Sequence, residues 1–327
     1  MGHRSDRGNS VFLTPMLAVA RLLLALIALA AAVAPAAEAT FPGSNGAIAF
    51  SQRTTSGDLV EPTVEHTRIA TRHATYGGER TLVDCELTGG APTGGNCAGT
   101  SYTSPSYSPD GGRIVLDAGE RIGVMAANGS GLTLLPAVTA NDGDPSFSAD
   151  GRRIVFTGTN DRGTTDLYVR SADGGPAQLI INDAGEPSWS SRGVIAYVRS
   201  GNIYVARPGG RHRRWVTSGV SPDWSPDGRR LLLVRPLATL TFDLPIGRMY
   251  QVGAHGEGPR RIGPAADASD PSWSPQGNWI AYEVFEEGVF AKKLGSSAPA
   301  REIALTQTSG ESGSVASFDP AWRSLPR

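Results

Sequence analysis

Between residues 47 and 284 the chain carries short apolar runs, rich in β-branched and aromatic residues and separated by polar, glycine-containing stretches. They include Ile114-Val115-Leu116, Ile154-Val155-Phe156, Val194-Ile195-Ala196-Tyr197, Leu231-Leu232-Leu233-Val234 and Ile280-Ala281-Tyr282. Runs of this length bounded by turn residues predict strands. No apolar pattern of helical period extends over a long stretch. Ahead of most runs stands the same lettering: Ser104-Pro105-Ser106-Tyr107-Ser108-Pro109-Asp110-Gly111, Asp144-Pro145-Ser146-Phe147-Ser148-Ala149-Asp150-Gly151, Glu186-Pro187-Ser188-Trp189-Ser190, Ser221-Pro222-Asp223-Trp224-Ser225-Pro226-Asp227-Gly228 and Asp270-Pro271-Ser272-Trp273-Ser274-Pro275-Gln276-Gly277. Each copy reads as a hairpin: a strand with one aromatic, a tight turn, then the apolar return strand. In the turn, proline presets φ, Asp reaches the backbone ahead, and Gly accepts a left-handed conformation.

A hairpin cannot bury both faces alone, so repeats at this spacing predict stacked units. The anchor prolines 105, 145, 187, 222, 271 and 320 lie 40, 42, 35, 49 and 49 residues apart, which suits four strands per unit. Return strands are expected at 47–51, 113–117, 153–157, 193–198, 230–235 and 279–284, each followed by a third strand and an outer fourth. The first unit lacks an aromatic strand before Ala47, and the last copy, Asp319-Pro320-Ala321-Trp322, lacks a return strand after it. Together they complete one unit. The expectation is an all-β fold: a six-bladed β-propeller of four antiparallel strands per blade, closed by pairing of the N- and C-terminal strands in one blade, which removes exposed sheet edges. The aromatics Tyr107, Phe147, Trp189, Trp224, Trp273 and Trp322 share one repeat position and are expected in the core.

The 327 residues include 41 Gly and 23 Pro with a formal net charge of −1, which suits a turn-rich β protein and gives no nucleic-acid footprint. Arg211-His212-Arg213-Arg214 reads as a solvated basic surface. Residues 1–39 differ from the rest: Arg4, Arg7 and Arg21 precede an apolar run from Leu22 to Ala34, and Ala37-Glu38-Ala39 offers a cleavage site. They are read as a cleaved signal peptide too short for a stable membrane span, leaving residues 40–327 as the propeller, secreted or periplasmic. Cys85 and Cys97 flank a glycine-rich loop, and an exported chain predicts a disulfide between them. His66 and His73 lie at odd spacing, on opposite strand faces, which argues against a metal pair.

The linked units, a Pro-Ser-Trp-Ser-Pro-x-Gly hairpin, an Ile-Ala-Tyr strand, an Ile-Tyr-Val strand and a glycine turn, resemble the WD40-like (PD40-type) repeats of the TolB-like β-propellers, over roughly residues 41–327. The amino-terminal α/β domain of TolB has no counterpart here. The resemblance implies that the aromatic strand is innermost. The residues before each proline, Asp144, Glu186, Asp270 and Asp319, with Ser104 and Ser221, then surround one mouth of a central channel. There they would either bind, supplying oxygen ligands of the kind that hard cations such as Ca²⁺ prefer, or cap local backbone amides.

No nucleophile elbow, zinc helix or phosphate loop occurs. The expectation is therefore a monomeric binding module with no enzyme activity and no cofactor of its own, whose partner is a protein or peptide at the cell envelope. The alternative is a metal-assisted sugar lyase or lactonase at the channel mouth. The apolar insertion 236–246, with Leu240, Phe242 and Leu244, is read either as a partner-docking loop or as strand extensions folded onto the next blade.

Overall fold

A computed structural model describes residues 44–56, 63–74, 78–88, 91–95, 101–236, 247–264, 268–285, 287–309 and 313–325. These are strands and tight turns throughout, forming a β-propeller. Its inner strands are Tyr102–Tyr107, Asn141–Phe147, Gly185–Trp189, Val220–Trp224, Ala268–Trp273 and Gly313–Leu325. Each touches the next, and the last touches the first, so that they ring a common axis.

The turn chemistry follows from a few atoms. The Ser108 hydroxyl donates to Asp110 Oδ1 at 2.6 Å and accepts from the Arg113 amide at 2.9 Å, while Asp110 Oδ1 also accepts from the Gly112 amide at 2.9 Å. Gly111 takes φ of +67°, where a side chain would collide with the Ser324 carbonyl. The same arrangement recurs at Ser148, Asp150 and Arg153 and at Ser225, Asp227 and Arg230. Each return strand therefore starts in one register. The repeated aromatics are all buried, from Trp273 at 0% exposure to Trp322 at 5%. Over several of them lies an arginine from the preceding repeat: Arg113 over Phe147 at 5.5 Å, Arg153 over Trp189 at 5.1 Å and Arg230 over Trp273 at 5.0 Å.

The expected division into six separate four-stranded blades is not what forms. The described residues make five hydrogen-bonded sheets, of which only those spanning Tyr102–Leu134, Asn141–Ile181 and Gly185–Ser218 have four strands. One sheet has six strands, because Gly313–Leu325 pairs with the free edge of Ser44–Ser56 while Ala91–Gly95 and Gln307–Ser309 extend the two sides. One has eight, because Gly247 pairs with Ala268 and fuses two strand groups. Backbone pairing crossed the boundaries that the repeat spacing had drawn. The antiparallel register of the terminal strands runs from Ser44 opposite Leu325 to Thr55 opposite Ser314.

Residues 1–43, with the expected signal segment, and 237–246, with Leu240, Phe242 and Leu244, lie outside the described residues. Cys85 is buried, and Cys97 also lies outside them. No helix among the described residues is long and apolar enough to cross a membrane.

Candidate functional site

The site begins with an unusual backbone. Ser104, Asp144, Glu186, Ser221, Asp270 and Asp319 all adopt left-handed φ values, between 44° and 52°. For residues other than glycine this conformation costs roughly 1–2 kcal/mol each, least where a short polar side chain can bond locally. Each is followed by a proline, and each residue–proline pair forms a bulge facing one residue of the return strand. Ser104 and Pro105, for example, fall between the pairs Thr103 to Asp117 and Ser106 to Val115, opposite Leu116 alone. Proline has no amide to give to the ladder, so a bulge is where it fits. The bulge breaks the strict alternation of side chains and re-aims the residue before it.

The re-aimed carboxyls act on one another across the ring. Burial raises Asp144 to about 7 and Glu186 to about 8; in Glu186 the Ser221 amide opposes the rise, and Asp144 and Asp270 add to it. Burial, then repulsion from neighbouring carboxyls, lifts Asp270 and Asp319 well above the ordinary range. Two further acids join from the return strands. Asp117 is raised by burial and then by Asp144, and Glu283 is raised to about 7 by burial and then by Asp319. The cation acting on Asp319 is Arg53, itself largely buried and 6.0 Å over the Phe318 ring.

Hydrogen bonds tie the acids to neighbouring strands. The Ser104 amide donates to Asp319 Oδ2 at 3.0 Å and the Ser221 amide to Glu186 Oε2 at 2.6 Å, so each acid clasps the equivalent residue of the next repeat. The Ser51 hydroxyl donates to Asp319 Oδ2, Thr103 to Asp117 Oδ2 and Ser269 to Glu283 Oε2. Capping of local amides, one of the two expectations, is thus replaced at Asp319 and Glu186 by capping across repeats. Asp144 Oδ1 and Asp319 Oδ1 are buried without a hydrogen-bond partner among the described residues. Such oxygens are costly unless protonated or met by a cation. Among the described residues no group of three or more His, Cys, Asp or Glu is arranged to hold a metal ion.

All six residues expected at the channel are therefore brought to one ring. Asp117, Glu283 and Arg53 were not expected there. A signal for the two acids existed: each is the fourth residue of an apolar run, Ile114-Val115-Leu116-Asp117 and Ile280-Ala281-Tyr282-Glu283, where other copies carry Thr157, Val198 or Val234.

A family model, PD40, the TolB beta propeller domain, matches residues 80–275, more than half of the chain. The chain belongs to the PD40 family. A curated relative, the "Uncharacterized peptidase YuxL" of Bacillus subtilis (strain 168), is 22% identical over 202 residues, covering 56% of this chain and 29% of that protein. The chain thus spans under a third of that relative. Among solved structures, TolB from Acinetobacter baumannii is similar with a TM-score of 0.57 at 18% identity, covering 85% of this chain and 67% of that one. The putative TolB from Agrobacterium tumefaciens is similar with a TM-score of 0.58 at 14% identity, covering 86% and 100%. Identities this low speak for the fold alone. The chemistry of the bulged acids carries the functional reading.

Proposed function

We propose that this PD40 propeller is a non-enzymatic binding module, monomeric and working outside the cytoplasm, whose protein or peptide partner presents a cationic group to the acidic ring. One observation carries the reading: carboxyls are held on left-handed bulge residues, buried together, with oxygens on Asp144 and Asp319 left unpaired. Strain and unpaired buried carboxyl oxygens persist where a function over-determines them, and neither helps the fold by itself. A lysine or arginine side chain would pair those oxygens. Glu186 and Glu283 are only partly buried and give such a group a way in. Membership of the PD40 family supports a binding module outside the cytoplasm.

The experiment uses the mature protein to recover partners from envelope extract, beside an Asp270→Asn/Asp319→Asn variant. The expected result is a protein retained by the native chain, released by a lysine-containing competitor peptide but not by its acetylated form, and lost with the variant although the variant's melting midpoint is kept or raised. Retention that ignores both the competitor and the variant would overturn the proposal.

A further inference from the structure

At the opposite end of the inner strands from the acids, a cavity of about 360 Å³ opens between two neighbouring sheets. Its walls include Val194, Val205, Trp224 and Ala254, and its rim carries Arg192, Arg214, Arg229 and His255 against the single acid Glu257. The cavity lies where one repeat lacks the arginine that three others carry. In three copies the turn ends in an arginine that lies over the next aromatic, as Arg113, Arg153 and Arg230 do. In the copy Ser190-Ser191-Arg192-Gly193-Val194 the turn is one residue shorter, and valine occupies the position from which the arginine would reach. Its own arginine comes two residues early. Arg192 donates through Nε to the Asp227 carbonyl at 2.6 Å and packs against the Gly228 backbone. Among the described contacts no guanidinium covers Trp224, and its buried indole Nε1 has no hydrogen-bond partner.

We infer that this cavity is a binding site for a carboxylate carried on an aromatic or branched apolar body, such as the free C-terminus of a peptide ending in a large apolar residue or a small aromatic acid. The apolar body fits because the vacated volume is walled by Val194, Val205, Ala254 and the Trp224 ring. The charge fits because three guanidiniums face one carboxylate at the rim, and planar guanidiniums take carboxylates in paired hydrogen bonds. Arg214 donates through Nη2 to the Ala254 carbonyl at 2.8 Å and through Nη1 to the Trp215 carbonyl at 3.5 Å, which fixes the side chain beside the cavity. Arg229 is exposed, and no side-chain hydrogen bond of its guanidinium is among the described contacts. A cationic ligand would meet like charge here. The site is independent of the acidic ring in both place and sign of charge.

The test is isothermal titration of the full mature protein with a short peptide ending in Phe, with the same peptide amidated at its C-terminus, and with 3-phenylpropionate. The free-acid peptide should bind, and the amide should bind at least tenfold more weakly. Val194→Arg, which returns a guanidinium to the Trp224 slot, should abolish binding with the melting midpoint kept or raised. Arg229→Gln, at an exposed turn position where folding is not at stake, should weaken binding severalfold. Binding of 3-phenylpropionate as tight as that of the peptide would assign the site to small aromatic acids, and tighter peptide binding to chain ends. The inference is overturned if neither acid binds at millimolar concentration, if amide and acid bind alike, or if Arg229→Gln leaves the affinity unchanged.

Discussion

At the scale of single residues, the repeated aromatic and the arginine above it form a pair that joins one repeat to the next. Trp189 is 1% exposed, and its ring has the Arg153 guanidinium 5.1 Å away. Truncating Trp189 to Ala leaves a cavity that a ring of packed sheets cannot collapse to fill, so a loss of about 3–5 kcal/mol is expected. Arg153→Ala removes only the cation–π contact and the packing of the arginine stem, with an expected loss of about 0.5–2 kcal/mol. Chemical denaturation of both single variants and the double variant checks this. The double variant should lose less than the sum, because Arg153 has no ring to cover once Trp189 is gone. Strict additivity would remove the pair from the account.

At the scale of elements, the closing strand Gly313–Leu325 does two things. It pairs with Ser44–Ser56, and its inner-ring neighbours are Ala268–Trp273 on one side and Tyr102–Tyr107 on the other. It also supplies Asp319 and the buried Trp322. Removing residues 313–327 strips one strand from the ring, opens two sheet faces and leaves an unpaired edge on the first strand. The expected outcome is loss of the single cooperative thermal transition, followed by circular dichroism, together with aggregation. An unchanged midpoint would show that the ring does not depend on joining the two ends of the chain.

At the scale of the whole molecule, the acidic ring makes stability depend on pH in an unusual direction. Asp144, Glu186 and Glu283 are raised to about 7 to 8, and Asp117, Asp270 and Asp319 are raised as well. Between the ordinary carboxylate range near about 4 and pH 8 the folded chain therefore binds more protons than the unfolded chain. Stability falls as pH rises through that window. The turn acids work the other way: the Ser108 hydroxyl and Gly112 amide hold Asp110 low, and the Ser148 hydroxyl and Arg152 amide hold Asp150 low. Their contribution is present above the unfolded value and is lost only as pH drops below about 4. Thermal unfolding should accordingly show a higher midpoint at pH 5 than at pH 8. Asp144→Asn should raise the stability at pH 8 by on the order of 1 kcal/mol or more, and with it the midpoint, and change the pH 5 midpoint little. A wild-type midpoint that climbs from pH 5 to pH 8 would contradict the burial of these acids as charged groups.

What the linear chain determined by itself were features with local causes. The hairpin turn was legible because Ser, Asp and Gly act within five residues of one another, as Ser108 to Arg113 show. The alternation of strands and the burial of the repeated aromatics were legible for the same reason, since one period governs each strand. The residues before the prolines could be singled out by their recurrence, although not their left-handed φ. The tertiary structure decided whatever depends on residues far apart in the chain. Sheet membership was one such matter, because a single backbone pair, Gly247 with Ala268, suffices to fuse two strand groups that spacing would separate. The company of the acids was another: Asp117 meets Asp144, and Glu283 meets Asp319, only when neighbouring repeats pack together. The cavity over Trp224 was a third. It lies where one repeat lacks an arginine, but it becomes a space with a floor and a rim only where Arg214 and Ala254, forty residues apart, are folded together.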